Sequence, residues 1–157
     1  MKSLTLTVNS QTVTHVVEDR TSLADFLREE CDLTATHLGC EHGACGACSV
    51  IVDDVLTRSC LKFARQCEGK NIVTLEGLQD DPVMEVLKAA FHEAHGLQCG
   101  FCTPGMLVTA RDLLLRNKAP TEDDIRDSLS GNLCRCTGYA GIVQSVALAA
   151  QRLITPK

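Results

Sequence analysis

The stretch from Gly39 to Cys48, Gly-Cys-Glu-His-Gly-Ala-Cys-Gly-Ala-Cys, constrains this chain more than any other. It places Cys40, Cys45 and Cys48 within nine residues, interleaves Gly39, Gly43 and Gly46, and is followed by Cys60. Turning several thiolates toward one point requires sharp bends, and glycine permits the positive φ angles that such bends use. Small residues also let backbone N–H groups approach sulfur, where their hydrogen bonds stabilise negative charge. The fold must therefore supply a frame that holds a thiol-rich turn.

The order C-x4-C-x2-C…C is the spacing of plant-type [2Fe–2S] sites. Three other readings use the same residues. Structural zinc takes four thiolates, usually from two C-x2-4-C knuckles, and here the single C-x2-C and the glycine density fit less well. Disulfides are open to an even count of ten cysteines, although Cys45 and Cys48 lie too close for an easy paired loop. A Rieske centre needs two histidines; His42 lies two residues after Cys40, but no histidine lies just beyond Cys60, and His42 reads as an exposed loop residue.

Net charge decides which partners to set aside. At −5, the chain is a poor match for nucleic acid or an anionic membrane surface. With four phenylalanines, one tyrosine and no tryptophan, it has no stacking platform for bases. Met1–Val8 carries one lysine and no long apolar run, which predicts no secretory signal. No stretch approaches the ~20 apolar residues of a membrane span. A soluble, cytoplasmic protein is expected, and there clustered cysteines usually mean metal or redox work.

Along the chain, Leu4, Leu6 and Val8 alternate with polar residues, the period of a half-buried strand. Asn9-Ser10 predicts a turn and Thr12–Val17 the returning strand. Thr21 or Ser22 can cap a helix bearing Leu23, Phe26, Leu27 and Cys31 on one face, with Cys31 a small core residue. Ser49–Val52, the turn Asp53-Asp54, Val55–Arg58 and Ile72–Leu75 complete a β-grasp pattern with the metal loop at its surface. Cys67 lies in a polar connection and reads as a non-ligand. Near Gly77 the pattern becomes helical. Asp81-Pro82 caps a helix that stops at Gly96, Thr103-Pro104 starts a second, Thr121 with Asp124 a third, and Ala140–Leu153 forms a fourth. The expected class is α+β: a ferredoxin-like β-grasp domain at residues 1–77, then a four-helix domain at residues 78–157, joined by a linker at Gly77–Asp80.

Two inter-helix turns carry a second constellation. Gln98-Cys99-Gly100-Phe101-Cys102-Thr103-Pro104-Gly105 joins the first pair of helices, and Asn132-Leu133-Cys134-Arg135-Cys136-Thr137-Gly138-Tyr139 joins the last pair. A bundle can bring both turns to one end. Cys102 and Cys136 precede helix N-termini, where positive helix ends should lower thiol pKa. Zinc is again the alternative, but the Cys134/Cys136 C-x-C pair makes a tight bite suited to one iron of a cluster.

These motifs, G-C-E-H-G-A-C-G-A-C-S-V…C, Q-C-G-F-C-T-P-G-M and G-N-L-C-R-C-T-G-Y, resemble the iron–sulfur subunit of the xanthine oxidase family of molybdenum hydroxylases along essentially the whole chain. The resemblance implies two [2Fe–2S] clusters. Cys40, Cys45, Cys48 and Cys60 would bind the first, and Cys99, Cys102, Cys134 and Cys136 the second. It implies that Gln98 and Cys136 contact a molybdopterin, and that the β-grasp cluster lies nearer the electron exit. No G-x-G-x-x-G fingerprint is present, so molybdopterin is expected on a large partner subunit and FAD on a medium one, in a dimer of heterotrimers. Arg135 reads as a solvated or interface residue. The chain itself would make no bonds in substrate and would relay single electrons. A free-standing two-cluster ferredoxin and a zinc-stabilised interaction module are the rivals.

Overall fold

The computed structural model describes residues 1–155. Strands β1 (Lys2–Val8) and β2 (Gln11–Val17) form a hairpin in full register. Its turn, Asn9-Ser10, has both residues at positive φ (49° and 67°), the twist that two-residue hairpins favour. Asp53 and Asp54 do the same (47° and 65°) between β3 (Ser49–Val52) and β4 (Val55–Arg58). With β5 (Asn71–Val73) the sheet runs β2-β1-β5-β3-β4; β1 and β5 pair parallel and the other neighbours antiparallel.

Alternation sorts the faces. Leu4, Leu6 and Val8 of β1, Val50 and Val52 of β3 and Ile72 of β5 bury against Leu23, Phe26 and Leu27. Each such side chain contributes about 1.5–3 kcal/mol by leaving water. Those last three residues come from α1, an α-turn (Leu23–Asp25) that widens into a π-turn (Phe26–Glu30). Ser22, not Thr21, is its cap, accepting from Asp25 N (3.0 Å). The expected regular helix opens because Cys31 N bonds Phe26 O (3.2 Å), five residues back. β5 stops before Thr74, shorter than the pattern predicts. The Asn9 side chain takes over the ladder there, accepting from Thr74 N (2.9 Å) and donating to its hydroxyl (3.0 Å).

The second half contains α2 (Pro82–Glu93), α3 (Thr103–Arg116), α4 (Glu122–Leu129) and α5 (Ala140–Ile154). Their apolar stripes enclose Met84, Leu87, Phe91, Met106, Leu114, Ile125, Ile142 and Val146. Ile51 belongs to this second core, because it points to the opposite face of β3 from Val50 and Val52. The sheet is thus covered on both faces.

Several ends differ from the sequence reading. α2 ends at Glu93, and His95 takes the left-handed position (φ 53°). Gly96 serves close approach instead: a Cβ there would strike Ser145 Oγ and lie 2.9 Å from Phe91. The cap of α3 is Cys102, with Thr103 already helical. Thr121 and Asp124 do form the expected capping box. Cys67 is fully buried in the β-grasp core rather than in a polar connection. No helix among the described residues is long and apolar enough to cross a membrane.

Asp81 shows how an end is secured. Its carboxylate accepts from Met84 N (2.8 Å) and from Arg111 Nη2 (2.6 Å), tying α2 to α3. Burial works to raise its pKa, but the Arg111 and Met84 hydrogen bonds outweigh it and hold the carboxyl below its ordinary value. An unfolded chain therefore takes up this proton first. The stabilisation is complete above about pH 4 and is lost as pH falls through the folded-state pKa. Asp81→Ala is expected to cost about 2 kcal/mol in urea unfolding at pH 7, a deficit that should shrink toward pH 3. A deficit independent of pH would show that the cap, not the charge, carries the effect.

Candidate metal centres

Cys40, Cys45 and Cys48 lie on the loop between α1 and β3, and Cys60 on the 3-10 turn Ser59–Leu61 after β4. Gly43 and Gly46 hold this loop at φ 82° and 71°. Cys45 N donates to Cys40 Sγ (3.3 Å). The Cys40 and Cys45 thiols are neighbours, as are those of Cys48 and Cys60. The first N–H to act on Cys40 is that of Cys45, then that of His42; against slight burial, they pull its pKa down to about 6. Burial and the Cys48 thiol push Cys60 up to about 11. Only half of this loop lies at the surface as expected: Gly46, Ala47 and Cys48 are buried, while His42 is exposed.

The second quartet forms where the α2–α3 and α4–α5 turns meet. Cys136 Sγ donates to Cys99 Sγ (3.4 Å), and the Cys102 thiol neighbours that of Cys134. Each pair therefore spans the two turns, and Cys134 and Cys136 fall in different pairs. The turns are closed by Cys134 N donating to Tyr139 Oη (2.9 Å) and Thr137 N to Cys134 Sγ (3.4 Å). Cys99 and Cys136 are exposed; Cys102 and Cys134 are half-buried.

In the second quartet one thiol of each pair rises and the other falls. The Phe101 N–H and the Cys136 thiol lower Cys99, and that same bond raises Cys136. Burial raises Cys134, but hydrogen bonds from Thr137 outweigh it. Burial and the bond to Cys134 push Cys102 up to about 12. The expected lowering of Cys102 at a helix N-terminus is thus reversed, because a helix end is worth only about 0.3–1 kcal/mol. Binding a metal requires these thiols to give up their protons.

Two facing pairs suit a group with two metal atoms, each taking one pair. The all-thiol donor set and its pairwise arrangement fit a [2Fe–2S] group. Burial raises the thiols of both Cys31, to about 11, and Cys67; Cys31 packs at the edge of the β-grasp core and Cys67 inside it. Gln98 and Arg135 are exposed on the rim of the second quartet.

A buried polar junction, invisible in motif spacing, locks the two loops together. Asn132, 2% exposed, donates to Gly46 O (3.1 Å) and accepts from Thr109 Oγ1 (3.1 Å). Arg58 donates to Ser49 Oγ (2.6 Å), Gly131 O (2.8 Å) and Asn132 Oδ1 (3.4 Å). Leu133 N donates to Cys45 O (2.8 Å). On the outer side His37 stacks on Phe101 at 4.7 Å and bonds its carbonyl (2.7 Å). Asn132 sits inside the G-N-L-C-R-C motif, but nothing in that motif names its partners.

Residues 6–73 match the 2Fe-2S iron-sulfur cluster binding domain family and residues 74–147 the [2Fe-2S] binding domain family. The gamma subunit of caffeine dehydrogenase from Pseudomonas sp. (strain CBB1) is 51% identical over 146 residues, 91% of this chain and 87% of that protein. The crystal structure of quinoline 2-oxidoreductase from Pseudomonas putida 86 includes a chain 45% identical to this one. It matches with a TM-score of 0.90, covering 96% of this chain and 94% of that one. This chain is an iron–sulfur small subunit of the xanthine oxidase family. The aldehyde oxidoreductase structure from Desulfovibrio desulfuricans ATCC 27774 matches at TM-score 0.89 and 38% identity. It covers 98% of this chain but only 17% of that one. In that protein the same unit is thus part of a much longer chain. Members of this family of subunits carry two [2Fe–2S] groups and transfer electrons within molybdenum-containing oxidoreductases, and this chain has that role.

Proposed function

We propose that Cys40, Cys45, Cys48 and Cys60 hold one [2Fe–2S] group, and Cys99, Cys102, Cys134 and Cys136 the other. The observation that carries this reading is the arrangement of eight thiols as four pairs. Each bound group supplies one-electron storage at a potential set by hydrogen bonds to sulfur, charge and solvent.

The exposure of the second quartet gives the relay a direction. Cys99 and Cys136 face outward, with exposed Gln98, and meet a large molybdopterin-binding subunit; Gln98 and Cys136 are its pterin contacts. Cys102 and Cys134 lie on the inner side, packed against the helical core. The amides around Cys40 stabilise sulfur charge at the exit, next to an FAD-binding medium subunit. We further infer a β-grasp unit at residues 1–77, a helical unit at residues 78–157, a dimer of heterotrimers, and a cytoplasmic setting that keeps ten thiols reduced. The matched proteins are named for caffeine, quinoline and aldehyde reactions, so substrate choice belongs to the large subunit.

Purified complex should contain about four irons per copy of this chain, two per quartet. On dithionite reduction it should show two distinct paramagnetic signals. Zinc in place of iron, with no signal, would overturn the reading.

A further inference from the structure

We infer that Asn132 is a positioning residue that sets the gap between the two thiol loops and so governs electron passage between them. This rests on the relay reading above. Among the described residues, the bond from Leu133 N to Cys45 O is the one backbone hydrogen bond joining the two cysteine-bearing segments. Cys45 belongs to the first quartet, and Leu133 is one peptide unit from Cys134 of the second. The quartets are therefore linked through covalent bonds and a single hydrogen bond. Electron tunnelling decays far more slowly along such a route than across a gap.

Leu133 N cannot choose its own place, because its neighbour is held from four sides. Asn132 donates to Gly46 O on the first loop. Its Oδ1 accepts from Thr109 on α3 and Arg58 on β4, and its own N–H bonds Leu129 O (2.9 Å) at the end of α4. The approach is close enough that a Cβ on Gly46 would lie 2.7 Å from Asn132 Nδ2, and one on Gly131 2.6 Å from Arg58. A buried amide that merely satisfied itself would not need contacts on both loops.

Asn132→Asp tests this with little change of volume. It keeps the acceptor for Arg58 and Thr109 and replaces the donor to Gly46 O with a second oxygen. In reduced holoenzyme at full iron content, the magnetic splitting between the two signals should fall. Hydrogen exchange of the peptide carrying Leu133 should rise about tenfold. Full iron with unchanged splitting and exchange would overturn the inference, leaving Asn132 a structural residue. Should this variant fail to load, Thr109→Val removes one donor to Asn132 Oδ1 and is judged by the same two readings, in the same directions. Wild-type complex without iron would sink the relay reading, while the exchange of Leu133 would still decide the clamp.

Discussion

Gly105→Ala is expected to destabilise the protein, against the usual preference of helices for alanine. Gly105 is in the first turn of α3, where replacing glycine normally gains up to about 1 kcal/mol. Here a Cβ would run into Gly46 O and sit 3.2 Å from Ala47 Cα. Both are backbone atoms of the buried half of the cysteine loop and cannot rotate away. Overpacking of this kind costs about 1–3 kcal/mol or more. The net loss of about 2 kcal/mol should lower the melting temperature by roughly 4–8 °C at this chain length. It should also slow iron incorporation, because the loop must move off α3. Calorimetry showing an unchanged or higher melting temperature would mean that the loop and α3 are less tightly joined than these distances imply.

Cys134→Ser should remove one metal group and spare the other. Iron should fall from about four to about two per chain, and one of two paramagnetic signals should vanish. Serine offers a hydroxyl where the group needs a thiolate, and the Thr137 groups that hold the Cys134 sulfur would face a smaller oxygen in its place. The first quartet should survive because its β-grasp core is separate from the helical core. Cys48→Ser should give the reverse pattern. Cys67→Ser is the control. That thiol is fully buried in the β-grasp core, so iron should stay at about four, while stability drops by about 1–3 kcal/mol from a buried hydroxyl. Loss of both signals from Cys134→Ser alone would show that the two sites assemble as one unit.

Much of this was legible in residue order, for physical reasons. Period-2 alternation placed β1, and Asn9-Ser10 and Asp53-Asp54 placed the hairpins, because such patterns depend only on neighbours in the chain. Thr121 with Asp124 announced its capping box for the same reason. The errors came where a distant group intervened. β5 ends early because the Asn9 side chain takes over at Thr74, and Gly96 is a contact residue because Ser145 lies against it. Cys102 is raised rather than lowered because burial outweighs the helix end.

The sequence by itself determined which residues could bind metal, how many groups to expect and which family the chain resembles, since cysteine spacing and glycine placement are local chemistry. Only the tertiary structure decided how the thiols pair, with Cys99 meeting Cys136 across two turns. It alone decided that Ile51 serves the helical core, and that Arg58, Thr109 and Asn132 bind the two loops together. Those partners are separated by up to 86 positions. No motif encodes such contacts, because they exist only once both faces of the sheet are covered.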